Sequence, residues 1–100
     1  MAALLLNTRA RALGIHTVCI GGLHMSTVGM GEVFKAALLV NAASLVLCHT
    51  HPSGDPEPSP DDVAVTKKLK EAGEILQIQL LDHIILGEDR FVSLKERGAF

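Results

Sequence analysis

The sequence predicts a single α/β domain in which two main helices pack on a mixed β-sheet. Five short apolar runs have the character of strands, and two longer stretches have the apolar spacing of helices. The 100 residues leave room for one hydrophobic core. The predicted order of elements is β-β-α-β-α-β-β, which spans residues 1–100 as one domain.

The strand candidates are apolar or β-branched runs bounded by turn residues. They are AALLLN (2–7), GIHTVCIGG (14–22), SLVLCHTH (44–51), IQLLDHIILG (78–87) and RFVSL (90–94). The first two are expected to pair as a hairpin, and the third reads as a buried strand that becomes polar at its C-terminal end.

Two stretches change to the helical period. The first, GEVFKAALLVNAA (31–43), follows a Ser/Thr/Gly-rich connection. Its repeating positions are Val33, Phe34, Ala37, Leu38 and Asn41. The second runs from Pro60 to about Leu76, with charged pairs one turn apart on its solvent face. Its predicted apolar stripe is Val65, Leu69, Ala72 and Leu76.

Composition excludes several function classes. The formal charge is -2, and the densest basic cluster, residues 67–70, is followed at once by Glu71 and Glu74. No direct contact with nucleic acid is therefore predicted. No segment approaches the roughly 20 apolar residues of a membrane span. Cys19 and Cys48 lie in apolar runs, as free core thiols of a reducing compartment do, so we expect a soluble, cytoplasmic chain.

The segment HTHPSGDPEPSPDD (49–62) is the most informative part of the sequence. Alternation along a strand places His49 and His51 on one face, about 6.5–7 Å apart at Cα. Asp62 follows after a loop that four prolines restrict. Two imidazoles and one carboxylate, with a fourth position open, form the ligand set of a catalytic zinc site. The segment predicts such a site.

The same residues also have a purely structural interpretation. Ser59 is a good helix N-cap, with Pro60 at N1 and acidic residues at N2 and N3 facing the helix dipole. Asp62 at N3 could close a variant capping box with Ser59. Metal binding and capping by Asp62 are expected to coexist only in part, because they draw on the same carboxylate lone pairs.

The spacing H-x-H-x₇-S-x₂-D, formed by His49, His51, Ser59 and Asp62, resembles the JAMM (MPN+) metalloprotease motif. Along its whole length the chain resembles the C-terminal domain of bacterial RadC-like proteins, a family labelled DNA repair. The resemblance implies a cytidine-deaminase-like fold and Zn²⁺ held by the two histidines and Asp62. It also implies hydrolysis of a peptide, isopeptide or other amide bond, with Ser59 stabilising the oxyanion. Full-length members carry an N-terminal helix-hairpin-helix region that is absent here, so the sequence is expected to be an excised C-terminal domain.

The family pattern also includes a glutamate that acts as general base. The only glutamate before His49 is Glu32, which is expected to begin the first helix, where an acid is favourable as a dipole partner. The family glutamate is expected to precede Met1. Glu32 is the alternative within the chain.

The remaining histidines attract less functional interpretation. His16 and His24 have no partner at metal-ligand spacing and are expected to be surface or hydrogen-bonded histidines. Asp82 and His83 lie between apolar flanks and are expected to be structural. The alternative is that they support a zinc ligand from behind.

Two functions compete on these observations. The first is a zinc-dependent hydrolase with a peptide or protein amide substrate; the second is a non-catalytic MPN-type binding module of a DNA-repair or recombination-associated complex. A nucleobase deaminase is disfavoured because H-x-E and P-C-x-x-C are absent. An iron oxygenase would use the same ligand types, but the family resemblance disfavours it. Substrate identity and assembly, including a homo-oligomer, are left open.

Overall fold

The structure is a computed structural model that describes residues 1–17, 27–51 and 53–100. Within these residues the elements follow the predicted order β-β-α-β-α-β-β. Their bounds are β1 (Ala2–Leu6), β2 (Ala12–Thr17), α1 (Thr27–Leu39), β3 (Ser44–Thr50), α2 (Pro60–Leu76), β4 (Gln79–Leu86) and β5 (Phe91–Ser93).

The described strands form one mixed sheet in the order β2-β1-β3-β4-β5. Strand β1 pairs antiparallel with both β2 and β3, and β4 pairs antiparallel with β5. Strands β3 and β4 are parallel, and α2 forms the crossover connection that a parallel pair needs. The mixed α/β architecture and the β1–β2 hairpin are confirmed. The loop between β3 and α2 therefore follows the C-terminal end of a central strand.

The core lies between the sheet and the helices. From α1 it takes Val33, Phe34 and Ala37, and from α2 it takes Leu69. The sheet and its connections contribute Ala3, Leu5, Ala42, Leu45, Leu47, Ile78 and Leu80. Burying these side chains provides most of the driving force for folding. The predicted inner face of α1 is confirmed at its first three positions, whereas Leu38 is 56% exposed.

Both helices differ in detail from the sequence prediction. Helix α1 begins at Thr27, so Glu32 does not begin it and lies beyond its first turn. The buried residues of α2 are Thr66, Leu69 and Gly73, and Leu76 of the predicted stripe is 42% exposed.

The close approach of the α2–β4 connection explains the shifted face of α2. A Cβ on Gly73 would collide with the carbonyl oxygen of Ile78, so glycine lets the chain turn back tightly into β4. The apolar spacing alone did not reveal that contact.

Some predicted features lie outside the described residues, namely Cys19, His24 and the end of the predicted second strand. Cys48 is a free, partly buried thiol, and burial raises its pKa. Among the helices of the described residues, neither has the length and apolar character needed to cross a bilayer.

Candidate metal centre

Helix α2 begins with a complete capping box. The Ser59 hydroxyl accepts a hydrogen bond from the Asp62 backbone N–H at 3.1 Å, and the Asp62 Oδ2 accepts one from the Ser59 N–H at 2.8 Å. Pro60 occupies the first helical turn, where its missing N–H has no consequence. The predicted cap is therefore confirmed. It also fixes the orientation of the Asp62 carboxylate.

Three candidate ligands converge beside this cap. His49 lies in β3, His51 follows its last residue, and Asp62 lies in the first turn of α2. One ligand atom from each lies within 4.8 Å of the others. The Nε2 atoms of His49 and His51 lie 3.6 Å and 3.1 Å from Asp62 Oδ1 and Oδ2, respectively. The predicted grouping of these three residues is present in the structure.

The tautomer of His51 follows from its second contact. Its Nδ1 lies 2.9 Å from the backbone carbonyl oxygen of Asp55. Because a carbonyl can only accept, Nδ1 carries the proton and donates it. In the neutral ring, Nε2 then presents a lone pair to the Asp62 carboxylate. That contact is favourable only with positive charge between the two atoms, either a second proton on the ring or a metal ion.

The Asp62 carboxylate both caps α2 and faces the candidate metal ligands. Oδ2 accepts the capping hydrogen bond from Ser59, whereas Oδ1 faces His49. An ionised carboxylate has about four lone-pair sites, so the cap leaves acceptor capacity for a cation. Burial by itself raises the pKa of Asp62, but the hydrogen bonds from Ser59, together with the two histidines, hold the pKa below its usual value. The carboxylate is therefore ionised at neutral pH.

A buried histidine, His83, contacts the Nδ1 side of the partly buried His49. The Nδ1 of His49 lies 2.8 Å from Nε2 of His83, whose residue is 0% exposed. Burial lowers the pKa of His49 and outweighs the opposing effect of Asp62. Burial also lowers the pKa of His83 to about 4. Both rings are thus held neutral near pH 7, and neutral imidazole is the form that binds a metal.

The loop between β3 and α2, which carries His51, packs against the turn between β4 and β5. The His51 N–H donates to the Leu86 carbonyl at 3.4 Å, and the Glu88 N–H donates to the Gly54 carbonyl at 3.0 Å. A Cβ on Gly87 would lie 2.6 Å from the Gly54 carbonyl oxygen, so only glycine allows this approach. These contacts hold the loop that carries His51.

Two exposed ion pairs join the same loop to the C-terminal part of the chain. Arg97 binds Glu57 through both carboxylate oxygens, at 2.7 and 3.1 Å, and Arg90 binds Asp55 at 3.2 Å. All four side chains are about half exposed. Exposed pairs each contribute little to stability, so they guide the loop less than the backbone contacts at Gly87 do.

The other predicted site residues have distinct surroundings. The Ser59 hydroxyl accepts a hydrogen bond from the Asp62 backbone N–H, and hydrogen bonding between the Ser59 side chain and the Asp62 carboxylate is one of the causes that lower the pKa of Asp62. Glu32 lies on α1, with its side chain 46% exposed and 3.8 Å from Lys35. It is not a member of the group formed by the three candidate ligands. His16 lies in β2, partly exposed.

Sequence reasoning missed one participant. Thr66 is completely buried, and its hydroxyl lies 2.7 Å from Nδ1 of His83 and 2.6 Å from the backbone carbonyl oxygen of Asp62. Its position one helical turn after Asp62 could have indicated it, because residues four apart lie on the same helix face. The Asp82–His83 pair was expected to be structural, with support of a candidate ligand as the alternative, and of the two residues it is His83 that contacts His49. The Asp82 carboxylate instead accepts a hydrogen bond from Ser93 of β5.

Comparison with known proteins agrees with this fold and identifies the family. Residues 1–99 match the family model described as RadC-like JAB domain. The chain is 51% identical over 98 residues to a UPF0758 protein of Roseiflexus sp. (strain RS-1), covering 98% of the chain and 42% of that protein. It is 55% identical over 98 residues to a UPF0758 protein of Shouchella clausii (strain KSM-K16), covering 98% of the chain and 43% of that relative. The chain thus spans less than half the length of these relatives. It belongs to the RadC-like JAB domain family.

Proposed function

We propose that the chain binds one Zn²⁺ through His49, His51 and Asp62 and is the domain of a zinc-dependent hydrolase acting on a peptide, isopeptide or other amide bond. The observation that carries the proposal is the convergence of three ligand atoms within 4.8 Å. In the neutral ring of His51, Nε2 presents its lone pair to a carboxylate oxygen of Asp62 3.1 Å away. Such an arrangement attracts a cation, and two imidazoles with one carboxylate suit zinc with a position left open.

The residues around the ligands supply orientation and hydrogen bonding. A bound zinc would provide Lewis acidity that polarises an amide carbonyl and activates water. Ser59 would donate its hydroxyl proton to the negative charge that develops on the carbonyl oxygen. The capping box holds Ser59 and Asp62 in fixed relation, so the donor and the ligand keep their relative positions without reorganisation.

A second candidate, a non-catalytic binding module, has one observation in its favour. Among the described residues, no carboxylate besides Asp62 joins the ligand group, and Glu32 is half exposed beside Lys35. Hydrolysis needs a group that accepts a proton near the attacking water. A domain that keeps the metal and lacks that group would bind a partner without cleaving it. With a net charge of -2, we propose a peptide or protein rather than DNA as the molecule it contacts.

Metal analysis tests the shared part of both candidates. We expect one zinc per chain in the purified protein and tight binding in a competition titration with a chromophoric chelator. His51→Ala should remove stoichiometric zinc, whereas His16→Ala, which changes a histidine on β2 outside the group, should not. A wild-type chain that binds no zinc, or a His51→Ala variant that binds as tightly as His16→Ala, would refute the assignment.

Hydrolysis separates the two candidates. Because the general-base glutamate is expected to precede Met1, hydrolysis is measured on a zinc-loaded protein that extends N-terminally beyond Met1. That protein should cleave fluorogenic peptide and isopeptide substrates, and Ser59→Ala in it should lower the rate by about 10²–10³ at unchanged zinc content. Full zinc occupancy with no cleavage of any amide substrate would favour the binding module.

A further inference from the structure

A chain of buried and partly buried hydrogen bonds runs from the start of α2 to Nδ1 of His49. It begins at the backbone carbonyl oxygen of Asp62, passes through the Thr66 hydroxyl and the ring of His83, and ends at His49 Nδ1. The successive distances are 2.6, 2.7 and 2.8 Å. Thr66 and His83 are both 0% exposed, so water does not compete for the contact between them.

The direction of each hydrogen bond in this chain is determined by its first acceptor. A carbonyl oxygen can only accept, so the single hydroxyl proton of Thr66 points to Asp62. The hydroxyl must then accept from His83, whose Nδ1 carries the proton. A neutral His83 has no second proton, so its Nε2 offers a lone pair. His49 must therefore donate from Nδ1.

The same direction of hydrogen bonding leaves Nε2 of His49 without a proton. With the proton on Nδ1, Nε2 carries a lone pair, and this atom faces Asp62 Oδ1 at 3.6 Å. An imidazole in water exchanges its proton between both nitrogens. Here the buried partners remove that freedom.

We propose that Thr66 and His83 are positioning residues that hold His49 in the Nδ1–H tautomer before any metal arrives, so that Nε2 is ready to bind. The inference deepens the proposed function, on which its metal-binding part rests. Partners of this kind orient metal-ligating histidines, and their loss typically lowers metal affinity about 10–100-fold. Asp62 would then act on the site in two ways. Its side chain would be a ligand, and its backbone carbonyl would be the first acceptor of the hydrogen-bond chain that fixes the His49 tautomer.

Thr66→Val and Thr66→Ser form a matched pair for the test. Valine has nearly the shape of threonine but lacks the hydroxyl, so His83 loses the acceptor for its Nδ1 proton. His83 can then carry the proton on Nε2 and donate to His49, which moves the His49 proton to its own Nε2. Serine keeps the hydroxyl and should keep the wild-type ordering. His83→Gln and His83→Leu provide a second pair, because the glutamine amide can still accept from His49 and leucine cannot.

The first readout is the tautomer of His49 in the metal-free protein. Long-range ¹H–¹⁵N correlation spectra at pH 7.5, with a chelator present, distinguish a protonated from an unprotonated ring nitrogen. We expect a protonated Nδ1 and an unprotonated Nε2 for His49 in wild type and Thr66→Ser. Thr66→Val should show the reverse or a mixture. The second readout is zinc affinity, which should fall about 10–100-fold in Thr66→Val and stay unchanged in Thr66→Ser.

The outcomes distinguish this inference from the zinc assignment. A wild-type His49 that carries its proton on Nε2 overturns the inference, even if zinc binds. A Thr66→Val variant with lower thermal stability but unchanged tautomer and affinity also overturns it, since Thr66 would then be merely structural. If Thr66→Val does not fold, equal affinities in His83→Gln and His83→Leu overturn it. The expected tautomers in a chain that binds no zinc would support the ordering and refute the proposed function alone.

Discussion

Lowering the pH from 7 to 5 is expected to destabilise the metal-free chain, because folding buries His83 as a neutral ring. Its residue is 0% exposed, and burial lowers its pKa to about 4 from an ordinary value of 6.5. As the pH falls below the unfolded-state pKa of His83, the ring becomes protonated in the unfolded chain but stays neutral in the folded chain. Stability is therefore complete above the unfolded pKa and is lost as the pH falls toward the folded pKa.

The size of this effect follows from the gap between the two pKa values. The gap corresponds to about 3 kcal/mol when the pH has fallen to the folded pKa, and to about 2 kcal/mol at pH 5. Domains of this size are stable by roughly 5–15 kcal/mol. His83 alone should thus remove a substantial fraction of the free energy of unfolding in mild acid.

Urea unfolding in the presence of a chelator measures the effect, with His83→Gln as the comparison. Glutamine retains an amide of similar reach but does not titrate. The difference between the two proteins isolates His83 from His49 and Asp62, whose pKa values in the folded chain are also lowered. Relative to its stability at pH 7, the wild type should lose about 2 kcal/mol more than the variant at pH 5. Parallel losses in both proteins would show that His83 is not the buried neutral ring we describe.

Three further changes are expected to act on different parts of the site. Gly87→Ala should destabilise the chain by about 1–3 kcal/mol and weaken zinc binding, because its Cβ would lie 2.6 Å from the Gly54 carbonyl oxygen. Gly14→Ala, which meets no atom within 4 Å, is the control in urea unfolding and zinc titration, and equal effects of the two would contradict the packing argument. Ser59→Ala should lower the free energy of unfolding by about 1 kcal/mol through loss of the cap, and an unchanged value would show that the cap contributes nothing. Glu32→Gln should leave zinc affinity unchanged in the same titration, and loss of hydrolysis in that variant would identify Glu32 as the base.

The order and type of the elements could be predicted because local patterns determined them. The start of α1 could not. The stretch Thr27-Val28-Gly29-Met30-Gly31 contains two glycines and two β-branched residues, which disfavour helix, yet the helix begins at Thr27. The buried face of α2 was predicted in part: Leu69 is buried, and Val65 and Ala72 pack against the core. Thr66 and Gly73 are also buried, and an apolar pattern detects neither.

In the candidate site, too, local features could be predicted and tertiary contacts could not. Strand alternation and helix-capping chemistry were enough to predict that His49, His51 and Asp62 lie close together, because both depend on only a few neighbouring residues. The contact between His49 and His83 joins two neighbouring parallel strands. Such a contact depends on strand order and register, which no short stretch of sequence contains.

Asp62 links the start of α2 to the candidate metal centre. Its Oδ2 accepts the cap, its Oδ1 faces His49, and its backbone carbonyl accepts from Thr66. All three contacts depend on the backbone geometry of the first turn of α2, so the start of this helix positions the groups of the candidate site. The cap and the hydrogen bonds to Thr66 require no metal. A metal ion should therefore bind a preformed site and stabilise the fold in proportion to its concentration relative to Kd. Zinc fingers differ, because they are unfolded without their ion.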